Sequence, residues 1–301
     1  MLRGPLPPTR SRKGRGGLVH TTLPGPPPAV TPFLLGLLAR AGVSAFVVVA
    51  ATVAAEAAGP FWGGLIVSLP IGAGPAYVML ALQHDPAFIA ESALGSFAVN
   101  AATFVFLAVL ALLAARLWWG WTLAGGLLSW LVSAALIRLV EWDVIAACVL
   151  NVAVVLACLA VTRGVGRDAG PPRGPTRRRW FELPARAAMV GLVVGGVVTG
   201  SRALGPELTG MMAVFPVAFT SFSFLVLPRV GGPVAAAIMA SALRAMPGFG
   251  LALLTLHLAA VPLGVGPALM VALLPSLAWS LMLMAGRRVR LGAGRKIRAL
   301  P

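Results

Sequence analysis

Apolar residues in this chain fall in long unbroken runs. The stretches 41–55, 57–82, 92–115, 117–137, 144–162, 208–228 and 245–286 contain no Asp, Glu, Lys or Arg. About 20 such residues cross the hydrocarbon layer of a bilayer as an α-helix. A membrane β-barrel would alternate apolar and polar positions instead. The pattern predicts nine helical spans, at 33–58, 61–82, 87–115, 117–138, 143–162, 184–203, 207–228, 232–262 and 265–286. Trp118, Trp119 and Trp121 cluster at the third turn, and Trp62, Trp142 and Trp180 lie near other span ends. Tryptophans there are expected as anchors at the head-group level.

The two halves repeat. Residues 39–70 align without a gap on 185–216, at an offset of 146, with ten identities in 32 positions. The informative identities are Gly59, Pro60, Gly64 and Pro70 against Gly205, Pro206, Gly210 and Pro216. Each copy opens a span and interrupts it near its middle. Pro86 matches Pro233 after a one-residue slip. Five spans separate the copies, and an odd number turns the second upside down. Inverted repeats about an in-plane axis recur in secondary transporters. The expected architecture is therefore an all-α integral membrane protein, with two inverted four-helix repeats joined by the helix 143–162. Its segments are a basic Pro/Gly-rich arm (1–32), repeat one (33–140), a linker helix and basic loop (141–183), repeat two (184–286) and a basic tail (287–301). The arm has the composition of a disordered segment and lacks a signal peptide's apolar core.

Composition agrees with this class. Only 11% of residues are charged and mean hydropathy is +0.93, against about 25% charged in a soluble domain. The formal net charge of +16 does not point to nucleic acid, because the basic residues flank spans. Five lie between Arg3 and Arg15, seven between Arg163 and Arg186, and six between Arg287 and Arg298. The linker and tail share a side when nine spans are counted. The positive-inside rule then places the C-terminus in the cytoplasm and the N-terminus outside a plasma or inner membrane. The basic arm opposes that choice; were it inside, the first half would hold an even number of spans and the repeats would be parallel. Expected partners are the bilayer and its anionic lipid head groups, with a small solute and self-association open. Cys148 and Cys158 lie about 15 Å apart on one helix, too far for a disulfide, and no metal or cofactor is called for.

The segments GPFWGGLIVSLP (59–70) and GPELTGMMAVFPVAF (205–219) resemble the GlpM-like family of small four-span membrane proteins. The likeness covers about 100 residues in each half. It implies a membrane unit, here duplicated in tandem, and carries over no catalytic residue.

Candidate chemistry starts at the interruptions. Proline lacks an N–H and crowds the carbonyl four residues back, so Pro70 and Pro216 are expected to free the carbonyls of Ile66 and Met212. Non-helical backbone at membrane depth must face protein or a wet cavity. Matched interruptions in two halves point to a transporter's binding site; a packing kink is the structural alternative. Pro70, Gly72, Gly74, Asn100, Pro216, Thr220 and Ser221 are the candidate solute contacts. Thr220, Ser221 and Ser223 are equally able to bond their own helix, and Asn100 and Asn151 to bond between helices. A second break is expected at Pro247, Gly248 and Gly250, opposite Asn100 and Thr103. Ionisable residues inside spans are functional candidates: Glu91, Arg244 and His257 form the candidate proton or ion relay, with Arg244 and Glu91 a candidate pair. Glu56 and Arg202, equivalent in the repeat, read as interface charges.

No zinc-protease, serine-hydrolase or phosphate-loop motif occurs, so no catalytic residue is assigned. Asp85, Asp143 and Asp168 are the only aspartates, none deep in a span. Three readings follow. The first is a small-solute permease working at the breaks around Pro70 and Pro216. The second is a non-transporting scaffold or accessory subunit. The third is a lipid-modifying enzyme, which would have to use His84 and Asp85.

Overall fold

The computed structural model describes residues 73–166 and 181–298, with Gly42 and Phe46. The N-terminal arm, the span 33–58, most of 61–82 and the centre of the linker lie outside the described residues. So do Glu56, Trp62, Ile66, Pro70, Gly72 and Trp180. The described residues form helices joined by short turns, without a strand: α1 Gly74–Ala81, α2 Pro86–Leu113, α3 Trp119–Ile137, α4 Val144–Val161, α5 Glu182–Ala213, α6 Val217–Val230, α7 Gly232–Leu263 and α8 Val265–Arg298. Six helical stretches are long and apolar enough to cross a membrane: Pro86–Leu113, Trp119–Ile137, Val144–Val161, Pro184–Ala213, Gly232–Leu263 and Val265–Gly286.

The helix ends have local causes. The Asp85 carboxylate accepts from the Phe88 N–H at 2.8 Å, and Pro86 supplies a first-turn residue with no N–H to satisfy. The Asp143 carboxylate accepts from the Ala146 N–H at 2.7 Å. Both aspartates are N-caps, and they start α2 and α4. α2, α3, α4 and α7 match the predicted spans within a few residues. α8 does not stop at 286 but continues to Arg298, so the basic segment after 286 begins as helix.

α5 is two antiparallel arms. Gly205 sits inside it at φ 75°, ψ 172°, a left-handed conformation suited to glycine. The Thr209 hydroxyl donates to the Ser201 carbonyl at 3.4 Å, although eight residues of straight helix span about 12 Å. Glu182, at the start of α5, pairs with Arg229, near the end of α6, at 2.6 Å. A straight α5 would run about 48 Å and the 14-residue α6 returns only about 21 Å. The chain therefore turns back at Gly205, between the predicted spans 184–203 and 207–228.

Contacts at both ends fix the remaining directions. The first residue of α7, Gly232, packs on the Ala114 carbonyl at the end of α2. Towards the other end, His257 Nδ1 donates to the Ala90 carbonyl at 2.8 Å. α2 and α7 are thus antiparallel, and they pack together as the central pair. The basic linker joins α4 to α5 on the face where α2 ends and α7 starts; α8 runs towards that same face. The α2 face that packs inward is small and apolar, including Ala98, Val99, Ala101 and Ala102. α3 and α4 lie outside it and expose Leu128, Leu131, Leu136, Val149, Val152 and Leu156, a surface suited to lipid.

Candidate functional site

The Pro216 interruption is a real break, but the freed carbonyls differ from those expected. Pro216 has φ −77°, ψ 52°, and the Val217 N–H donates to the Phe215 carbonyl at 2.7 Å. That is an inverse γ-turn. The Met212 carbonyl, expected to be orphaned, accepts the Phe215 N–H at 3.1 Å and the Val214 N–H as well. Val214 has therefore abandoned Gly210, whose carbonyl accepts the Ser96 hydroxyl at 2.6 Å instead. Ser96 has one hydrogen and spends it there, so Tyr77 must donate to Ser96, at 2.6 Å. A relay Tyr77→Ser96→Gly210 thus ties α1, α2 and the break together. Val214 and Val217 are 5% and 3% exposed, so the break faces protein, as its unpaired backbone requires.

Close packing puts α2 beside the break. Ser92 donates to the Pro206 carbonyl at 2.9 Å. A Cβ on Gly210 would run into the Ser92 carbonyl, and one on Gly95 would come within 2.9 Å of the Glu207 carbonyl. Ser92, Gly95 and Ser96 form one small-residue stripe, the usual means of close helix approach in membranes. This stripe was legible in the sequence at i, i+3, i+4 spacing; the Tyr77 relay was not.

One turn further along α2, the polar groups reach mid-helix. Trp130 Nε1 donates to Thr103 Oγ1 at 3.4 Å, and its ring meets Phe215 edge-on at 5.1 Å between centroids. The break is therefore level with Thr103. Asn100, three residues earlier, is fully buried. The Asn151 amide nitrogen donates to the Phe97 carbonyl at 2.8 Å and the Ala147 carbonyl at 3.0 Å. That fixes Asn151 Oδ1 as the acceptor, so Asn100 presents Nδ2 to it, at 3.2 Å. Among the described residues Asn100 Oδ1 has no partner, and neither does the buried Ser223 hydroxyl. An orphaned buried acceptor costs about 1–3 kcal/mol. Asn100 faces Gly250, whose Cβ would lie 2.9 Å from Nδ2.

The other candidates fall elsewhere. Thr220 and Ser221 bond back to the Pro216 and Ala218 carbonyls, both at 2.9 Å. Gly74 is the first residue of α1. The expected break at Pro247 is not one: α7 runs on as helix through Pro247, Gly248 and Gly250, since a proline can be carried inside a membrane helix whose neighbours repair the backbone. Arg244 is exposed and does not pair with Glu91, also exposed. Residue 90 lies level with His257, so Arg244 is about 20 Å from that level along α7. His257 bonds the Ala90 carbonyl. His84 lies in the turn before α2, stacked on Phe88 at 3.7 Å and bonded through Nε2 to the Ser201 hydroxyl at 2.7 Å. Burial, and secondarily the Arg202 charge, lower its pKa against the opposing pull of Asp85; Asp85 itself caps α2. Among the described residues no group of three or more His, Cys, Asp or Glu could hold a metal.

No protein-family model, curated protein or solved structure matches this chain.

Proposed function

We propose that this polytopic membrane protein is a small-solute permease whose binding site lies at mid-membrane, between Asn100 and the break at Val214–Pro216. The observation that carries the reading is the broken crossing formed by the second arm of α5 with α6, buried in protein halfway along its path. A half-helix ending at Ala213 and another starting at Val217 present a partial negative and a partial positive end to one place. Discontinuous helices of this kind hold solutes and coupling ions in inverted-repeat transporters. The Asn100 Oδ1 acceptor, one turn away, has no donor among the described residues and suits a solute or ion contact. The antiparallel central pair α2 and α7 occupies equivalent places in the two sequence repeats. The pairings α3 with α6 and α8 with α1 are also equivalents under that repeat. Both favour an inverted duplication.

The purified protein in proteoliposomes is expected to give saturable, counterflow-competent uptake for one class in a panel of sugars, amino acids, organic anions and cations. Asn100→Ala should weaken that uptake. A flat response across the panel would remove the reading. The second reading, a non-transporting scaffold, is favoured by the Asn100–Asn151 and His257–Ala90 bonds, which look like helix-to-helix fastening. A stoichiometric partner enzyme recovered with the protein would support it.

A further inference from the structure

Polar steps on α2 run in register with the second arm of α5. Ser92 donates to the Pro206 carbonyl and Ser96 to the Gly210 carbonyl. Both sides advance by about one helical turn between the two bonds. The next step sets Asn100 level with Val214, where the half-helix ends. The pattern inverts there. Asn100 Nδ2 is committed to Asn151, so the residue that comes level with the break offers an acceptor, Oδ1, in place of a donor.

The break adds acceptors of its own. The Val214 and Phe215 N–H groups both turn to the Met212 carbonyl, and the Val217 N–H turns to Phe215. Among the described residues no donor then reaches the carbonyls of Met211, Ala213 and Val214. All three residues are buried, and carbonyls in the last turn of a helix point past its end. Donors are few on this side. The Thr220 N–H and hydroxyl both go to the Pro216 carbonyl, and Ala218 is exposed. The stretches 92–115 and 208–228 hold no Asp, Glu, Lys or Arg. Arg244 of α7 is turned away: Gly250 of that helix faces Asn100, and Arg244 lies about 120° round from it, at an exposed position.

We propose that one monovalent cation, sodium or potassium, binds at this break, held by the freed carbonyls and Asn100 Oδ1. The partial negative charge at the end of a half-helix attracts a cation. Neutral oxygens replace the water around it, as carbonyls do in a selectivity filter. A divalent ion would call for carboxylates, which these stretches lack. The ion's role, coupling to a solute, rests on the permease reading.

Binding is measured on the purified full chain in detergent, by equilibrium dialysis of radioactive sodium, and of radioactive rubidium as the potassium surrogate, against choline at constant ionic strength. Saturable binding of one ion per chain is expected. Asn100→Ala removes one ligand and should weaken it about tenfold, the usual effect of losing one bond to a charged group. Pro216→Ala restores an N–H and lets the helix close over its own carbonyls, so it should weaken binding too; it also serves if Asn100→Ala fails to fold. Binding of neither ion by the parent protein, or an affinity unchanged in the variants, would overturn the site. The transport reading is judged separately. Saturable cation binding without uptake of any solute keeps this site and removes the permease; uptake in choline alone, without cation binding, does the reverse.

Discussion

At Gly210 the distance between two helix backbones is set by a missing side chain. Any Cβ there meets the Ser92 carbonyl, which belongs to the rigid middle of α2 and cannot step aside as a side-chain tip would. Gly210→Ala is expected to destabilise the protein by about 1–3 kcal/mol, the usual cost of overpacking. Gly196 offers the contrast: it lies in the same helix with nothing within 4 Å of its Cβ position. Gly196→Ala should instead stabilise by about 0.5–1 kcal/mol through helix propensity. Apparent melting temperatures of the two variants in one detergent give the opposite signs directly; a Gly210→Ala protein as stable as the parent would remove the close crossing. Asn100 is the other residue-scale lesson. Its type flagged a polar group in an apolar run, but the choice between helix fastening and solute contact turns on which atom faces Asn151. The sequence does not carry that information; the two carbonyls around Asn151 Nδ2 supply it. They leave Asn100 bonded at one end of its amide and, among the described residues, open at the other.

Elements show where local sequence speaks clearly. Gly205–Pro206 marked a turn because glycine takes a positive φ and proline tolerates a helix's first turn, and the chain does reverse there. Pro216 marked a break and made one. Pro247 carried the same local signal and broke nothing, because proline's missing N–H can be absorbed by the packing around a helix. That packing comes from α2 and α8, distant in sequence. The Gly205 reversal can be tested without a structure. In a background lacking Cys148 and Cys158, Glu182→Cys and Arg229→Cys should be joined within one chain by a short bis-maleimide. If α5 were instead one straight helix, these ends would stay about 27 Å apart, and no cross-link would form. Unfolding the protein before the reagent is added should reduce the yield of that cross-link.

On the scale of the whole molecule, the described helices alternate in direction so that the linker and the end of α8 share one face. The opposite face holds five of the six described carboxylates, together with Arg138 and Arg202, and Arg116 and Arg163 lie on the linker face. Since Lys and Arg near span ends are retained on the cytoplasmic side, the expectation is that the linker face is cytoplasmic. α1 ends on the opposite face, at the His84 turn that bonds Ser201. If the sequence segments 33–58 and 61–82 each cross once, the N-terminal arm must also start on that opposite face, against its own five basic residues. Single cysteines at Gly170, at Pro301 and at Thr31, each in the cysteine-free background, decide the matter by labelling in sealed, inside-out and right-side-out vesicles. Gly170→Cys and Pro301→Cys are expected to react from the cytoplasmic side and Thr31→Cys from outside. That result makes the number of crossings before the linker odd, so the two copies of the G-P-x-x-x-G-x-x-x-x-x-P pattern enter the membrane from opposite faces and their interruptions can converge at one depth. Labelling of all three from one side makes the number even. With α2 and α7 antiparallel, one of the segments 33–58 and 61–82 would then fail to cross, the first copy would lack the full path of the second, and alternating access around a shared midplane site would lose its geometric basis.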